Sequence, residues 1–404
     1  MDLKSGYPFW AVKNGLLHAF PALHKDISCD VLILGGGITG ALVARALADD
    51  GHAIALIEQR DIAWGSTAAS TALLQYEIDT HMTELARRYG EADAVLAYQA
   101  CADAIPLLQS LAAEVRDVDF ARMRSLYFAS RPSHVRRLRQ EFDLRKRHGF
   151  RMKLLEQHDV REQFGFTAPV AILSALAARI DPYRFASRML LQLQKRGVQI
   201  FDGTPVATFA VRSRDVLART INGVTIKARH LVVAAGYASE KYVPQRVAKN
   251  RSSYAFVTDP IAKADLGPLR DTMVWESARP YLYLRSTGDG RLLIGGEDDD
   301  HDVPRRRDAN VERKSHILRQ RVKKLFPHVP FNPAFSWAGT FAETKDGLPF
   351  FGPHPKYGAR VQFAMAYGGN GITFSAIGAG LISNLIRRQA HPLARLFSFD
   401  RLQR

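Results

Sequence analysis

Cysteine is scarce in this chain of 404 residues: Cys29 and Cys101 are the only two, and they stand far apart. A disulfide-stapled scaffold, a four-ligand zinc site and a Cys-x-x-Cys redox centre therefore find no support. A reducing compartment suits that usage. Residues 1–25 lack the basic start, apolar run and small-residue cleavage site of a secretory signal, so a cytoplasmic location is expected. Charge is absent from one long stretch, Val361 to Ile386, whose length alone would span a membrane. Its glycines at 368, 369, 371, 378 and 380, with Gln362, Asn370 and Asn384, argue instead for a buried strand, a glycine turn and a packed helix. No catalytic triad or metal-ligand spacing stands out. His18, His81, His301 and His354 are scattered in the manner of structural histidines, and Glu297 to Asp300 reads as an acidic loop neutralised by Arg305 to Arg307.

Net negative charge is also lacking, since the formal balance is +16. The basic residues concentrate in Val135 to Arg147 and Asn310 to Lys324, where apolar residues recur at helical spacing. Solvated helix faces are the simplest reading. No zinc finger or RNA-reading aromatic motif accompanies the charge, so no specific nucleic-acid partner is expected, while a peripheral contact with anionic lipid stays open.

What is present is more decisive. Asp30-Val-Leu-Ile-Leu-Gly35-Gly-Gly37-Ile-Thr-Gly40 reads as a strand, a glycine turn and a helix, and a second strand, Ala53 to Ile57, runs into Glu58. This arrangement seats a dinucleotide. Gly35 makes the tight turn, Gly37 lets backbone approach the pyrophosphate, Gly40 allows close helix packing, and the helix N-terminus favours the anion. Glu58 arrives where a carboxylate accepts hydrogen bonds from ribose. The residues leave open whether the dinucleotide is NAD or FAD.

Further along, a small-residue loop, Gly65 to Thr71, is followed by a helical region from Met82 to Val115, a strand at Ser125 to Ala129 and the basic helix. A helix from Pro182 to Arg196 leads to short strands and to His230-Leu-Val-Val-Ala-Ala-Gly236, which suits a buried parallel strand returning to the nucleotide sheet. Ser252 to Thr258, Tyr281 to Ser286 and Arg291 to Gly295 alternate as antiparallel strands do, with Gly288-Asp-Gly290 as a turn. The expected class is α/β, or α+β in two domains: a Rossmann-like domain built from discontinuous segments, plus an antiparallel-sheet domain flooring a substrate site. A single fingerprint favours a tightly held flavin over a dissociable nicotinamide.

Taken in order, the fingerprint with Glu58, Gly65-Ser66, Ile180-Asp181-Pro182, Ala234-Ala235-Gly236, Gly290 to Gly295, Trp337-Ala-Gly339, Thr344 to Pro349 and Gly368-Gly-Asn-Gly371 resemble the D-amino-acid oxidase superfamily of FAD-dependent oxidoreductases. That superfamily includes glycine oxidase, sarcosine oxidase and γ-glutamylputrescine oxidoreductase. The resemblance implies an FAD-binding domain from 25–85, 155–240 and 335–404, a substrate domain from 86–154 and 241–334, and an N-terminal extension, 1–24. It also implies hydrogen removal from a carbon bearing nitrogen or, less often, oxygen. Gly35, Gly37, Ile38, Thr39 and Gly40 would hold the pyrophosphate, Glu58 the ribose, and Gln59 with Arg60 the adenine edge. Ser66 and Thr67 would continue the phosphate and ribityl contacts. Thr71, Ala72, Leu73, Leu74 and Gln75 would run beside the flavin ring, Val206 would meet adenine, and Ala235, Gly236 and Gly339 would complete the cradle. Gly369, Asn370, Gly371, Ile372 and Thr373 would turn their N–H groups toward the flavin, where reduction develops negative charge.

Sarcosine oxidases attach flavin to a cysteine in the C-terminal third; none follows Cys101, so the FAD is expected to be non-covalent. They also carry a lysine where this chain has Thr373, which disfavours an N-methylglycine oxidase. For the substrate, Arg285 is expected to orient a carboxylate by two parallel hydrogen bonds, with Tyr283 on the same strand, Thr373 beside the flavin and Arg279 as second choice for the anchor. The expected reaction is C–N oxidation of an amino acid or related amine, with oxygen or a quinone as acceptor. One rival keeps FAD and oxidises C–O in a hydroxy acid or glycerol phosphate. Another is a nucleotide-dependent, RNA-associated binding protein.

Overall fold

A computed structural model describes residues 2–403. Two sheets organise it. In the first, Phe350–Pro353, Val361–Met365, Thr225–Val233, Ile27–Leu34, Ile54–Ile57 and Gln199–Phe201 lie side by side in that order. These six are parallel except the edge strand Phe350–Pro353, and Val216–Thr220 with Val206–Val211 adds an antiparallel hairpin on Thr225–Val233. Val31 to Leu34 and all of Ile54–Ile57 are buried, as strands covered on both faces must be. The helices Ile38–Asp49, Gly371–Ile386 and Pro182–Lys195 share one apolar core with one face. The charge-free stretch resolves into a strand, a turn and that second helix, and among the described residues no helix is long and apolar enough to cross a membrane.

The second sheet runs Pro333–Glu343, Lys249–Thr258, Leu292–Asp299, Leu282–Ser286, Thr272–Glu276, Ala121–Phe128, Val170–Arg179 and Leu73–Gln75, with Met152–Glu156 also on Val170–Arg179. It is antiparallel apart from the pairing of Thr272–Glu276 with Ala121–Phe128. Sheet membership departs from the expected segments. Leu73–Gln75, Val170–Arg179 and Pro333–Glu343 fall within 25–85, 155–240 and 335–404 or across their edges, yet belong to this sheet. Conversely, the helix Glu91–Val115 buries its apolar side in the core of the nucleotide domain. Val170–Arg179 is alanine-rich and largely buried on both faces, so it shows no alternation to read.

The N-terminal segment is no free extension. The Leu3 carbonyl accepts from Thr340 N at 2.8 Å, and the Arg307 guanidinium donates to the carbonyls of Asp2 and Lys4 at 3.1 and 2.8 Å. Trp10 is fully buried, its indole N–H donating to Ser70 O at 2.7 Å.

Candidate functional site

One cleft runs between the sheets, from Glu58, Gln59 and Arg60 at one end to Trp275, Tyr281, Tyr283 and Asp298 at the other. The glycine turn builds the first end. Gly35 has φ +115°, and a Cβ there would lie 2.3 Å from Ala234 O. A Cβ on Gly40 would lie 1.9 Å from Gly35 O, so the helix can approach the turn only through glycine. Gly36 is less constrained, since a Cβ there would meet the end of the Ile62 side chain, 2.3 Å from Cδ1, rather than backbone. Its N–H donates to Glu58 Oε2 at 2.9 Å while Arg60 N donates to Oε1 at 3.0 Å. Glu58 is thus fixed by backbone, and burial pushes its carboxyl above the usual range against the pull of those two donors.

Gly35, Gly37, Ile38, Thr39, Glu58, Gln59, Arg60, Ser66 and Thr67 line this end, as does Val206 at the head of its strand. Ala235, Gly236 and Gly339 also line the cleft. The Thr67 hydroxyl accepts from Ile38 N at 3.0 Å, tying the loop to the helix. Ser66 Oγ and Arg60 Nε are buried without a hydrogen-bond partner. Polar atoms stranded beside a helix N-terminus and a glycine turn fit a bound phosphate and its sugar.

Thr71, Ala72, Leu73 and Gln75 line the middle, with Gly369, Asn370, Gly371 and Ile372 opposite. Leu74 alternates away from the cleft and is fully buried in the core. Asn370 Nδ2 donates to Gln75 O and Glu77 O at 3.1 and 2.9 Å, which clamps the Gly371–Ile386 helix to the opposite wall. The helix has 16 residues, and its first-turn N–H groups have no intrahelical acceptor. Thr373 does not line the cleft; its hydroxyl donates to Gln75 O at 3.3 Å, so its side chain holds the wall in place.

The far end differs from expectation. Arg285 is fully buried and outside the cleft, its guanidinium donating to the carbonyls of Thr71, Ser286 and Ile180 at 2.7, 2.9 and 3.1 Å. Trp10 lies under it, 5.4 Å from ring centroid to guanidinium carbon, and burial lowers its pKa to about 10. Alternation along Leu282–Ser286 puts Tyr283 and Arg285 on one face, but the side chain of Arg285 is spent on backbone carbonyls. It is a structural clamp. Arg279, the second choice, stacks 3.9 Å above the Tyr281 ring centroid and points to Glu343 at 3.3 Å, also outside the cleft lining. Tyr283 does reach the cleft; a Cβ on Gly295 would collide with its ring.

The acidic run is likewise not a neutralised loop. It ends the strand Leu292–Asp299 and begins the turn after it. Asp299 pairs with Lys314 at 2.7 Å, Asp300 with Lys249 at 3.1 Å, and Glu297 with Arg321. Arg307 serves Asp308 and the N-terminal carbonyls instead. Asp298 alone in the run lines the cleft, and its Oδ1 has no hydrogen-bond partner. A bulge aims it there. Ser252 pairs with Asp299 and Tyr254 with Gly296, so Glu297 and Asp298 oppose the single residue Ser253, and Glu297 takes φ +55°. Burial raises Asp298 to about 6, with Ser253 and Arg279 pulling down and Asp79 and Glu343 pushing up.

Tyr281, on the face that alternation gives Tyr283, lines this end, as do Trp275, Phe341, Asp79 and Asp298, which the sequence does not single out. Trp275, Tyr281 and Asp298 come from one run of neighbouring strands, Phe341 from Pro333–Glu343 and Asp79 from the segment after Leu73–Gln75. His81, by contrast, is buried behind the cleft, with Nε2 2.9 Å from Tyr127 OH, and burial lowers it to about 4, so it is neutral at neutral pH. Among the described residues no group of three metal-ligating side chains is placed to hold an ion.

A family model described as "FAD dependent oxidoreductase" matches residues 30–385. A Bacillus subtilis protein described as a Rieske 2Fe-2S iron-sulfur protein is 24% identical over 97% of this chain and 75% of its own length. The γ-glutamylputrescine oxidoreductase of Escherichia coli is 23% identical over 95% of this chain and 89% of its own. The structure of glycine oxidase from Geobacillus kaustophilus superposes with a TM-score of 0.77 at 20% identity, covering 92% of this chain and 98% of that one.

Proposed function

The chain belongs to the FAD-dependent oxidoreductase family, and from that premise we propose that it oxidises the C–N bond of an amine or amino-acid derivative to an imine, which water hydrolyses. FAD would supply the hydride acceptor, and with no cysteine after Cys101 the residues here would hold it without a bond to sulfur. Gly35, Gly37, Ile38 and Ser66 would take the pyrophosphate, Glu58 the ribose, Arg60 and Val206 the adenine, and the Gly371–Ile386 helix N-terminus the electron-rich edge of the ring. A peptide N–H row at that helix end stabilises developing negative charge without a separate cation.

The observation that carries the C–N reading is the chemistry of the far end. Its lining includes Asp79, Asp298, Trp275, Tyr281 and Tyr283, while among the described residues the basic side chains lining the cleft are Arg60 and Lys241. Arg60 sits at the glycine turn, and Lys241 lies over the Tyr242 ring at 4.7 Å, beside the Val206 end. A hydroxy acid or glycerol phosphate would bring an anion to a wall that carries Asp79 and Asp298, with the nearest cation, Arg279, outside the lining, stacked on Tyr281 and paired with Glu343. An amine suits it. The chain's own task is to align the C–H bond and exclude water; hydride leaves the neutral amine, so an ammonium that enters the cleft would first give its proton to a carboxylate there or to water. Oxygen or a quinone would then reoxidise the cofactor.

The test is anaerobic mixing of the yellow protein with amines, amino acids, hydroxy acids and glycerol phosphate while following flavin absorbance. Bleaching by amines is expected; bleaching only by hydroxy compounds or glycerol phosphate would overturn the reading.

A further inference from the structure

The far end of the cleft is built from three consecutive, neighbouring strands of the second sheet. Leu282–Ser286 contributes Tyr283, Thr272–Glu276 contributes Trp275, and the end of Leu292–Asp299 contributes Asp298 through its bulge. Trp275 is held in place from behind: its ring stacks on Tyr127 with centroids 3.8 Å apart, and its indole N–H donates to Ser125 Oγ at 3.0 Å. Aromatic faces beside a carboxylate are how proteins recognise organic cations.

We propose that this end of the cleft selects amines that enter as cations and carry no carboxylate beside the reacting nitrogen, with Asp298 as the anion that receives the ammonium and Trp275, Tyr281 and Tyr283 as its aromatic wall. The proposal rests on the C–N reading and narrows it. Asp79 already accepts from Gly369 N at 3.0 Å, whereas Asp298 Oδ1 has no hydrogen-bond partner. An ammonium supplies the missing donor. A substrate carboxylate would instead need a planar guanidinium. Arg285 spends its donors on three backbone carbonyls, and Arg279 stands outside the cleft lining, stacked on Tyr281 and paired with Glu343.

Glu297 supports the assignment from the backbone side. A non-glycine residue at φ +55° in a bulge is a strained choice that serves to re-aim its neighbour. Its carboxylate pairs with Arg321, which also holds Glu276 next to Trp275, so the bulge and the aromatic wall are braced by one guanidinium.

The probes are tert-butylammonium chloride and sodium pivalate, which share a carbon skeleton, differ in charge, and cannot be oxidised because the carbon next to the head group bears no hydrogen. Each is titrated into the wild-type holoenzyme, following the flavin absorption bands and tryptophan emission. The ammonium is expected to bind at least tenfold more tightly than pivalate, and Asp298→Asn, checked for an unchanged resting flavin spectrum, to lose that preference. Equal or tighter pivalate binding, or no response to tert-butylammonium, would overturn the proposal, and the wild-type pair decides even where the variant does not fold. Because neither probe turns over, the outcome is independent of the reaction. Preference for the cation without bleaching by any amine would sink the C–N reading alone; bleaching by amines with preference for pivalate would sink the charge selection alone.

Discussion

The two ends of the cleft are made by different means. The nucleotide end is backbone: a turn in which a side chain at 35 or 40 would collide with main-chain atoms, a helix N-terminus, and a glutamate held by two peptide N–H groups. The far end is side chain: an indole, two phenols and a carboxylate brought together from separate strands. Backbone sites tolerate almost no substitution, whereas side-chain sites can be retuned one residue at a time. One fold can therefore keep a cofactor while its substrate changes.

The largest expected effect breaks the nucleotide end. Gly40→Val would drive side-chain atoms into the Gly35 carbonyl, and the purified variant should contain no flavin by absorbance. A yellow variant would show that the close approach is dispensable. Next, Arg285→Ala should cost about 3 kcal/mol of stability, since it strands three buried carbonyl acceptors of a charged donor. Chemical denaturation measures this, and KM for an amine in the surviving folded protein should be unchanged. A selective rise in KM with no loss of stability would return Arg285 to the substrate site.

A smaller effect sharpens the far end. Asp298→Asn should raise KM for a cationic amine about tenfold, equivalent to about 1.4 kcal/mol. Asp298 is raised to about 6 by burial, among Asp79, Glu343, Arg279 and Ser253. Below that pH it gains a proton and stops attracting cations, so wild-type KM should rise as pH falls through 6. The variant should lack that limb. The same raised acid is protonated more readily in the folded chain, so its contribution to stability is lost as pH rises from its usual range through 6.

The smallest expected effect lies behind the cleft. His81 is lowered to about 4 by burial, so the unfolded chain binds its proton first as pH drops. Its share of stability is present above the usual histidine range and lost as pH falls toward 4. His81→Phe should flatten that acid limb of a thermal-melt series.

Local chemistry explains what the sequence shows. Gly35, Gly37, Gly40 and Glu58 lie within one strand-helix-strand unit, so spacing alone locates them. The basic helix is found at Val135–Arg147 because its period is unbroken. Asp298 is hidden for the opposite reason: an unbroken alternation would assign its side from its neighbours, and the bulge at Glu297 and Asp298 opposite Ser253 shifts that register, which the sequence does not announce. Arg285 misleads because alternation gives its face but not its reach; Ala72 at φ +52° and the end of Val170–Arg179 bring the carbonyls of Thr71 and Ile180 to it. Leu3, which lines the cleft, is placed there by tertiary pairing alone, through the bridge of Lys4 to Gly339 and the bond from Thr340 N to the Leu3 carbonyl.

The most direct test of the account is a single anaerobic turnover with two matched substrates, butylamine and butanol, in excess over the holoenzyme. The account predicts that butylamine bleaches the flavin and releases butyraldehyde and ammonia in equal amounts, one of each per flavin, while butanol does nothing. Bleaching by butanol, with no response to butylamine or any other amine, would contradict it.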